Sequence, residues 1–295
     1  MLTVLYRGSL SSCNYSCSYC PFAKRRDSRA TLARDAAEVA RFVDWAGGQT
    51  RPLRILFTPW GEAMVRRHYR HAMLALAAMP HVSQVALQTN LAGPLSWLAD
   101  APAGKISLWC TYHPDQTRLE RFIERTRQLS MLGIGHSVGV VAMQAHYEAI
   151  RALKSALPET TPFWLNAYDR RGPGYYTAQD LQWLDALDPR FVHEHSPGPS
   201  RGKACRAGSE AIAVDGSGEV QRCHFIPRRL GNLYADDLDG MLEERPCSRF
   251  KCDCFIGYVH RRDLDFYPAF GDGVLARIPL HHDASQPWTT PATQG

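Results

Sequence analysis

The feature that most constrains the fold is a regular alternation of strand-like and helix-like segments through the first two thirds of the 295 residues. Short runs rich in β-branched and aromatic residues, with breakers nearby, predict six strands, at Thr3–Tyr6, Leu53–Phe57, Val85–Thr89, Ile106–Tyr112, Ser137–Val141 and Phe163–Ala167. Apolar residues at helical spacing predict intervening helices at about Leu32–Trp45, Tyr69–Ala78, Arg118–Leu132 and Tyr147–Leu157, with a weaker candidate at Ala92–Ala99. Strands that alternate with helices form a parallel sheet through right-handed crossovers.

The number of strand–helix units narrows the architecture further. Six units are too few for a complete eight-unit barrel, so we expect an α/β fold that is either an open, partial barrel or a doubly wound sheet. In both architectures the functional loops lie at the carboxyl ends of the strands. Candidate site residues are therefore sought just after each predicted strand.

The last third of the chain has a different character. Four of the six residues from Pro197 to Gly202 are proline or glycine, which predicts a boundary between a core at residues 1–190 and a small extension at residues 200–260. Two short runs, Ala211–Val214 and Glu219–Cys223, flank an Asp-Gly-Ser-Gly turn and predict a β-hairpin. The polar segment 281–295 predicts a tail without stable structure.

Composition excludes several classes of protein. Hydrophobic residues make up 45% and charged residues 21%, as in ordinary globular proteins, and no run of about 18 apolar residues predicts a membrane span. The N-terminal residues do not resemble a secretory signal, so we expect a cytosolic protein. The net charge of +5 is too small to indicate a nucleic-acid partner.

Nine cysteines are the unusual part of the composition, and eight of them fall in two clusters. Without an export signal, clustered thiols indicate metal ligands more than disulfides. The ninth, Cys110, lies within the fourth predicted strand, where we expect a small buried apolar side chain.

The first cluster places Cys13, Cys17 and Cys20 in the loop directly after the first strand. Three thiolates so close together can hold one soft metal centre. A cube of four irons held by three cysteines leaves one iron open to a ligand. The alternatives are plain thiols or a structural zinc site, although zinc needs four ligands and only three are local.

This cluster resembles the signature of the radical S-adenosylmethionine (SAM) superfamily, in which an aromatic residue, here Tyr19, precedes the third cysteine. The run from Tyr6 to Arg25 also resembles a little-studied bacterial family within that superfamily. A second segment, Thr58-Pro59-Trp60-Gly61-Glu62, is similar to the family's Gly-Gly-Glu-Pro motif, but Trp60 replaces its first glycine and Ala63 its proline. The alternative for this segment is a turn with a surface glutamate.

The resemblance implies a partial barrel of six units, a [4Fe–4S] cluster on the three cysteines, and SAM bound at the open iron. An electron from a reducing partner would cleave SAM to methionine and a 5′-deoxyadenosyl radical, which abstracts hydrogen from a substrate. It further implies that Tyr19 packs near the adenine, and that Gly61 and Glu62 hold the methionyl amine. Asn90 and His113, at the ends of the third and fourth strands, become candidates for contacts to SAM or substrate. For each residue singly, a structural polar role is an equal alternative.

The second cluster resembles the auxiliary-cluster extension of radical SAM enzymes, in its short Twitch form or as a reduced SPASM domain. Cys205 and Cys223 have the family's spacing around Gly218. Five cysteines are available where one iron–sulfur cluster needs at most four, and Cys205, Cys223, Cys252 and Cys254 are favoured, with Cys247 a close rival. A structural zinc knot is the alternative.

Three functions remain open at this level. The first is an oxidoreductase that modifies or cross-links a peptide, because such extensions often accompany that activity. The second is a radical SAM enzyme for a small metabolite, and the third is a metal-stabilised binding module without catalysis. The basic run Lys24–Arg26, with Arg29, is either a solvated face or a site for the carboxylate of SAM or of an acidic substrate.

Overall fold

The computed structural model describes residues 1–23, 25–168, 172 and 174–280. Lys24 of the basic run and the predicted tail at 281–295 lie outside these residues. The described chain contains nine strands: β1 (Leu2–Arg7), β2 (Leu53–Phe57), β3 (Val82–Thr89), β4 (Ile106–Tyr112), β5 (Gly135–Val141), β6 (Phe163–Asn166), β7 (Ala211–Asp215), β8 (Glu219–Cys223) and β9 (Ile226–Asn232).

The helices alternate with the first six strands as predicted and continue beyond them. They are α1 (Arg29–Gly47), α2 (Arg67–Ala77), α3 (Leu119–Met131), α4 (Tyr147–Ala156), α5 (Ala178–Leu187), α6 (Val192–His195), α7 (Leu238–Met241), α8 (Phe255–Tyr258) and α9 (Phe266–Phe270). The weak candidate at Ala92–Ala99 is a 3₁₀ turn at Ser96–Asp100. Within the described ranges no helix is long and apolar enough to cross a membrane.

The strand order distinguishes between the two predicted architectures. The nine strands form one sheet in the order β6-β5-β4-β3-β2-β1-β7-β8-β9, and β1 to β6 pair in parallel with their sequence neighbours. A doubly wound sheet would reverse direction at a switch point. The unreversed order is that of a barrel wall, so the predicted partial (β/α)₆ barrel is the arrangement found.

The predicted hairpin is present, and it extends the barrel wall. Strand β7 pairs in parallel with β1, with Leu5 opposite Ala213, and β8 returns antiparallel to β7. Gly218 closes the turn with φ of +86°, a left-handed conformation that favours glycine. The third strand, β9, was not predicted because its sequence carries a proline and two arginines where an alternating apolar pattern would be expected.

The two faces of the sheet are covered differently. Helices α1 to α5 pack on the outer face, and its core is the larger apolar cluster of the protein. The inner face contacts the C-terminal segment from α8 through the 3₁₀ turn at Gly271–Ala276, against Leu5, Leu56, Ala86, Trp109 and Trp164. This segment also reaches the beginnings of the strands, where Asp272 accepts a hydrogen bond from Arg54. The C-terminal segment is thus at the beginnings of the strands, and the candidate site lies at their carboxyl ends.

Candidate cluster and cofactor site

The cysteine loop is anchored by a carboxylate just before α1. Asp27 accepts hydrogen bonds from the backbone N–H groups and hydroxyls of both Ser11 and Ser12, at 2.6–2.9 Å. These bonds lower the pKa of Asp27, despite partial burial that opposes them, so the group is ionised at neutral pH. Arg66 donates to the Ser12 hydroxyl at 2.8 Å. The residues immediately before Cys13 are therefore fixed by charge-assisted bonds.

A second carboxylate fixes the start of the same loop from α1. Asp35 is fully buried, and its Oδ1 accepts from Leu10 N at 2.9 Å and from the Tyr69 hydroxyl at 3.1 Å. Its Oδ2 lies 2.7 Å from Nε2 of His68. Neither Asp27 nor Asp35 was predicted, because a carboxylate near a helix start reads in sequence as an ordinary surface residue.

The three thiols differ in exposure. Cys17 is buried, while Cys13 and Cys20 are partly exposed. Burial raises the pKa of Cys13 to about 11, a hydrogen bond from Tyr15 N–H opposes the rise, and the nearby Glu62, Cys17 and Cys20 add to it. These sulfurs therefore share one electrostatic environment, in which a cation would stabilise the thiolate forms.

Soft thiol donors in one loop fit an iron–sulfur cluster by their chemistry. No three or more His, Cys, Asp or Glu side chains of the described residues are arranged as a ready-made metal-ion site. Cys13, Cys17 and Cys20 as ligands therefore remain a prediction from the sequence.

Two predicted cofactor residues contact the cysteine sulfurs. Asn90 Nδ2 lies 3.6 Å from Cys13 Sγ and donates to Asn14 Oδ1 at 3.0 Å. His113 Nδ1 lies 3.4 Å from Cys17 Sγ. The ends of β3 and β4 thus bring both side chains to the loop after β1, as parallel strands with a shared carboxyl edge should.

Tyr19 belongs to the same group of contacts. Its hydroxyl lies 2.8 Å from Nδ1 of His113, and the two rings stack with centroids 5.9 Å apart. Burial and the neighbouring His146 lower the pKa of His113 to about 4, so this imidazole is neutral at physiological pH. The role of Tyr19 beside the adenine stays a prediction; in the structure its hydroxyl partner is His113.

Glu62 is a buried residue and not the surface glutamate of the alternative interpretation. It is 4% exposed, and its carboxylate accepts from Asn90 N at 2.7 Å, Thr89 Oγ1 at 2.7 Å and Met64 N at 3.0 Å. Burial raises its pKa, and these three bonds oppose the rise. The carboxylate therefore ties the loop after β2 to the end of β3, and its contact with a methionyl amine remains a prediction.

Gly61 is needed for a close approach, but the partner is the cysteine loop. Its N–H donates to Leu10 O at 3.3 Å, and the N–H of Glu62 donates to Ser12 O at 3.2 Å. A Cβ on Gly61 would lie 2.8 Å from the carbonyl carbon of Ser12. The absence of a side chain therefore lets the loops after β1 and β2 pack directly on one another.

The second group of cysteines gathers around Cys252. Burial raises the pKa of this thiol, and Cys247, Cys223, Cys254 and Cys205 add to the rise in that order. Burial also raises the pKa of Cys205 and of Cys223, where the neighbouring thiols are Cys247 and Cys205 respectively. Five thiols thus lie close enough for their charges to interact at Cys252.

Cys254 has a different environment. Burial raises its pKa to about 12, and its strongest charged neighbours are Glu194 and Arg277 instead of the other thiols. Arg277 is itself buried, pairs with Glu194 at 2.8 Å and lies over the ring of Phe255 at 4.0 Å. The sequence favoured Cys254 over Cys247 as a cluster ligand; Cys254 lies beside this ion pair and also acts on Cys252, so the choice between the two stays a prediction. Cys110 is fully buried in β4, as predicted.

Comparison with known proteins identifies the fold. No family model and no curated protein sequence matches the chain. Among solved structures, SuiB from Streptococcus suis bound to S-adenosylmethionine matches with a TM-score of 0.53 and 17% identity, over 80% of this chain and 64% of that chain. The chain therefore spans less than two thirds of SuiB. The anSMEcpe structure with bound AdoMet matches with a TM-score of 0.55 and 14% identity, over 82% of this chain and 81% of that chain.

A further anSMEcpe structure, with AdoMet and the Cp18Cys peptide, matches with a TM-score of 0.53 and 14% identity, over 82% of this chain and 80% of that chain. At these identities the likeness concerns the fold. The chain has the α/β fold of the radical SAM enzymes, as its cysteine loop and strand pattern predicted.

Proposed function

We propose that this protein is a radical SAM enzyme that holds a [4Fe–4S] cluster on Cys13, Cys17 and Cys20 and cleaves SAM reductively. The observation that carries the proposal is the position of the three-thiol loop, at the carboxyl end of β1 in a fold shared with SAM-bound enzymes. The anchoring of this loop by Asp27 supports it, because a ligand loop that is held in place loses less entropy on binding.

A [4Fe–4S] cluster held by Cys13, Cys17 and Cys20 would supply the electron for reductive cleavage of SAM, and so the radical chemistry that removes a hydrogen atom from the substrate. The protein supports this chemistry through side chains around the sulfurs. Asn90 donates toward Cys13 Sγ, and such bonds to cluster ligands tune the reduction potential. Neutral His113 beside Cys17 orients the ligand without adding a charge.

We propose further that Cys205, Cys223, Cys247 and Cys252 hold an auxiliary iron–sulfur cluster of the Twitch or SPASM kind. The influence of Cys247, Cys223 and Cys205 on Cys252 supports the set. Cys254 also acts on Cys252, but the ion pair of Glu194 and Arg277 beside it argues for leaving that residue out. Replacement of Cys247 by serine should remove the auxiliary iron, while Cys254→Ser should retain it. Iron analysis that shows the reverse pattern would restore Cys254 as a ligand.

For the substrate we propose a peptide, which would make the enzyme a peptide-modifying oxidoreductase. Support comes from the anSMEcpe structure, which contains a peptide beside AdoMet and has the same fold. A gene for a short precursor peptide beside this one would agree with the proposal. Modification of a small metabolite is the alternative, and conversion of such a compound by the purified enzyme would replace the peptide proposal.

The central test is cleavage of SAM by the anaerobically reconstituted, reduced protein, measured as 5′-deoxyadenosine. Cys17→Ala should lose cleavage and the N-terminal iron together. The matched control is Cys110→Ala, which removes a buried thiol from β4 and should keep both. Full iron loading without any 5′-deoxyadenosine would favour a binding module, and normal cleavage by Cys17→Ala would show that the ligand assignment is wrong.

A further inference from the structure

A cavity of about 430 Å³ lies between the cysteine loop and the hairpin. Its walls come from the end of β1 with Ser9 and Ser11, from Trp60 after β2, and from Gln221 and His224 of the hairpin. This volume is within the range of small-molecule sites, about 300–1,000 Å³. Ser11 lies two residues before Cys13 and His224 follows Cys223, so the wall includes residues close in sequence to both groups of cysteines.

Arg7 is the charged group in the wall of this cavity. Its Nε donates to Thr58 O at 2.9 Å, and its guanidinium lies 5.8 Å from the ring of Trp60. Among the described residues it forms no salt bridge to a carboxylate. Burial lowers the pKa of Arg7 to about 10, and the nearby thiol of Cys254 raises it against the effect of burial, so Arg7 remains charged at neutral pH. A half-buried cation without a carboxylate partner is unfavourable, and an anionic ligand would compensate its lost hydration.

The other titratable groups of the wall do not neutralise Arg7. Asp215 is exposed, and its carboxylate accepts from Ser217 Oγ at 2.7 Å and Glu219 N at 2.9 Å within the hairpin turn. His224, directly after Cys223, also lines the cavity. Its Nε2 is buried and has no hydrogen-bond partner among the described residues. The cavity therefore offers one cation and one buried ring nitrogen without a hydrogen-bond partner among the described residues.

We propose that this cavity binds a carboxylate group of the substrate, with the guanidinium of Arg7 as its counter-ion and the indole of Trp60 beside it. Calling the ligand a substrate rests on the proposed function; the affinity for a carboxylate does not. SAM also carries a carboxylate, but the residues predicted to meet SAM, Glu62, Asn90 and His113, lie at the ends of β2, β3 and β4. Apart from Trp60, which precedes Gly61 in the loop after β2, the cavity is lined from β1 and from the β7–β8 side of the sheet.

The test uses benzoate as the probe and benzamide as its uncharged isostere, measured by calorimetry on the reconstituted protein. The wild type should prefer benzoate about tenfold or more, because a charge-assisted pair with a guanidinium is stronger than a neutral hydrogen bond. Arg7→Gln should abolish this preference, and Arg7→Lys should keep part of it. The matched control is Arg118→Gln, at an arginine that is 86% exposed, which should behave as the wild type.

Equal affinity for benzoate and benzamide in the wild type would overturn the proposal, and so would a preference that survives in Arg7→Gln. A loss of SAM affinity in Arg7→Gln, or displacement of benzoate by SAM, would assign the carboxylate to SAM and also overturn it. The two failures are distinguishable. Cleavage of SAM without the benzoate preference refutes only this inference, whereas the preference without cleavage refutes only the proposed function.

Discussion

Replacement of Gly61 by alanine should displace the cysteine loop. The new methyl group would lie 2.8 Å from the carbonyl carbon of Ser12, 2.9 Å from its nitrogen and closer still to its oxygen. Non-bonded carbon contacts are comfortable at about 3.5 Å, so the loop must retreat by at least about 0.7 Å. The atoms in the way belong to the backbone, which cannot rotate aside as a side chain can.

The cost follows from the contacts that this retreat breaks. Overpacking of a closely packed site costs about 1–3 kcal/mol, and a lost hydrogen bond about 0.5–1.5 kcal/mol. The bonds at risk are Gly61 N–H to Leu10 O and Glu62 N–H to Ser12 O. We expect the free energy of unfolding to fall by about 2–6 kcal/mol, as the sum of the overpacking and of the two lost hydrogen bonds. The displaced Cys13 should also lower the iron content.

The assay is urea unfolding of the metal-free protein, followed by iron analysis of the reconstituted protein. The matched control is Gly47→Ala, because a Cβ there meets only Met79 Cε at an ordinary 3.5 Å. That variant should keep the wild-type stability and iron content. If Gly61→Ala unfolds at the wild-type urea concentration and binds the full complement of iron, the close approach of the two loops does not matter and the reasoning is wrong.

Three further predictions concern stability and the hairpin. Burial lowers the pKa of His260 in the folded state to about 3. Below the ordinary pKa of 6.5 the unfolded state therefore binds one proton that the folded state does not, and the free energy of unfolding falls as the pH is lowered. Between pH 6.5 and 5 the wild type should lose about 2 kcal/mol more stability than His260→Gln in urea unfolding. Arg277→Leu removes the guanidinium that lies 2.8 Å from buried Glu194 and should lower the free energy of unfolding by about 3–5 kcal/mol. The double variant Arg277→Leu with Glu194→Leu should recover much of that stability. If the single and the double variant lose the same amount, the ion-pair argument is refuted. Gly218→Ala, at φ of +86°, should lower the thermal midpoint, and an unchanged midpoint would contradict the assigned turn.

The sequence was informative where a local pattern coincides with a buried strand. The six core strands were predicted, and β3 differs mainly at its start, because Ser83 and Gln84 interrupt the apolar run there. Helix α5 was missed although Thr177 and Asp180 form a capping box that marks its beginning. The C-terminal segment was missed because its helices are too short to show a period, and only tertiary contacts place it on the inner face of the sheet.

In the candidate site, too, some residues were predictable from the sequence and others were not. Spacing and resemblance singled out the cysteine loop, Asn90 and His113, because parallel strands bring their ends to one edge. Sequence could not show that Glu62 is shared among three donors, that Asp27 and Asp35 anchor the loop, or that Arg7 faces a cavity. Those roles depend on distances between loops that are far apart in the chain.

The measurement that tests the central claim most directly is the electron paramagnetic resonance spectrum of the reduced protein before and after addition of SAM. The account predicts a [4Fe–4S] signal that SAM changes in the wild type and in Cys110→Ala, and that is lost from the N-terminal site in Cys17→Ala. A wild-type spectrum that SAM leaves unaltered, or elemental analysis that finds zinc in place of iron, would contradict it.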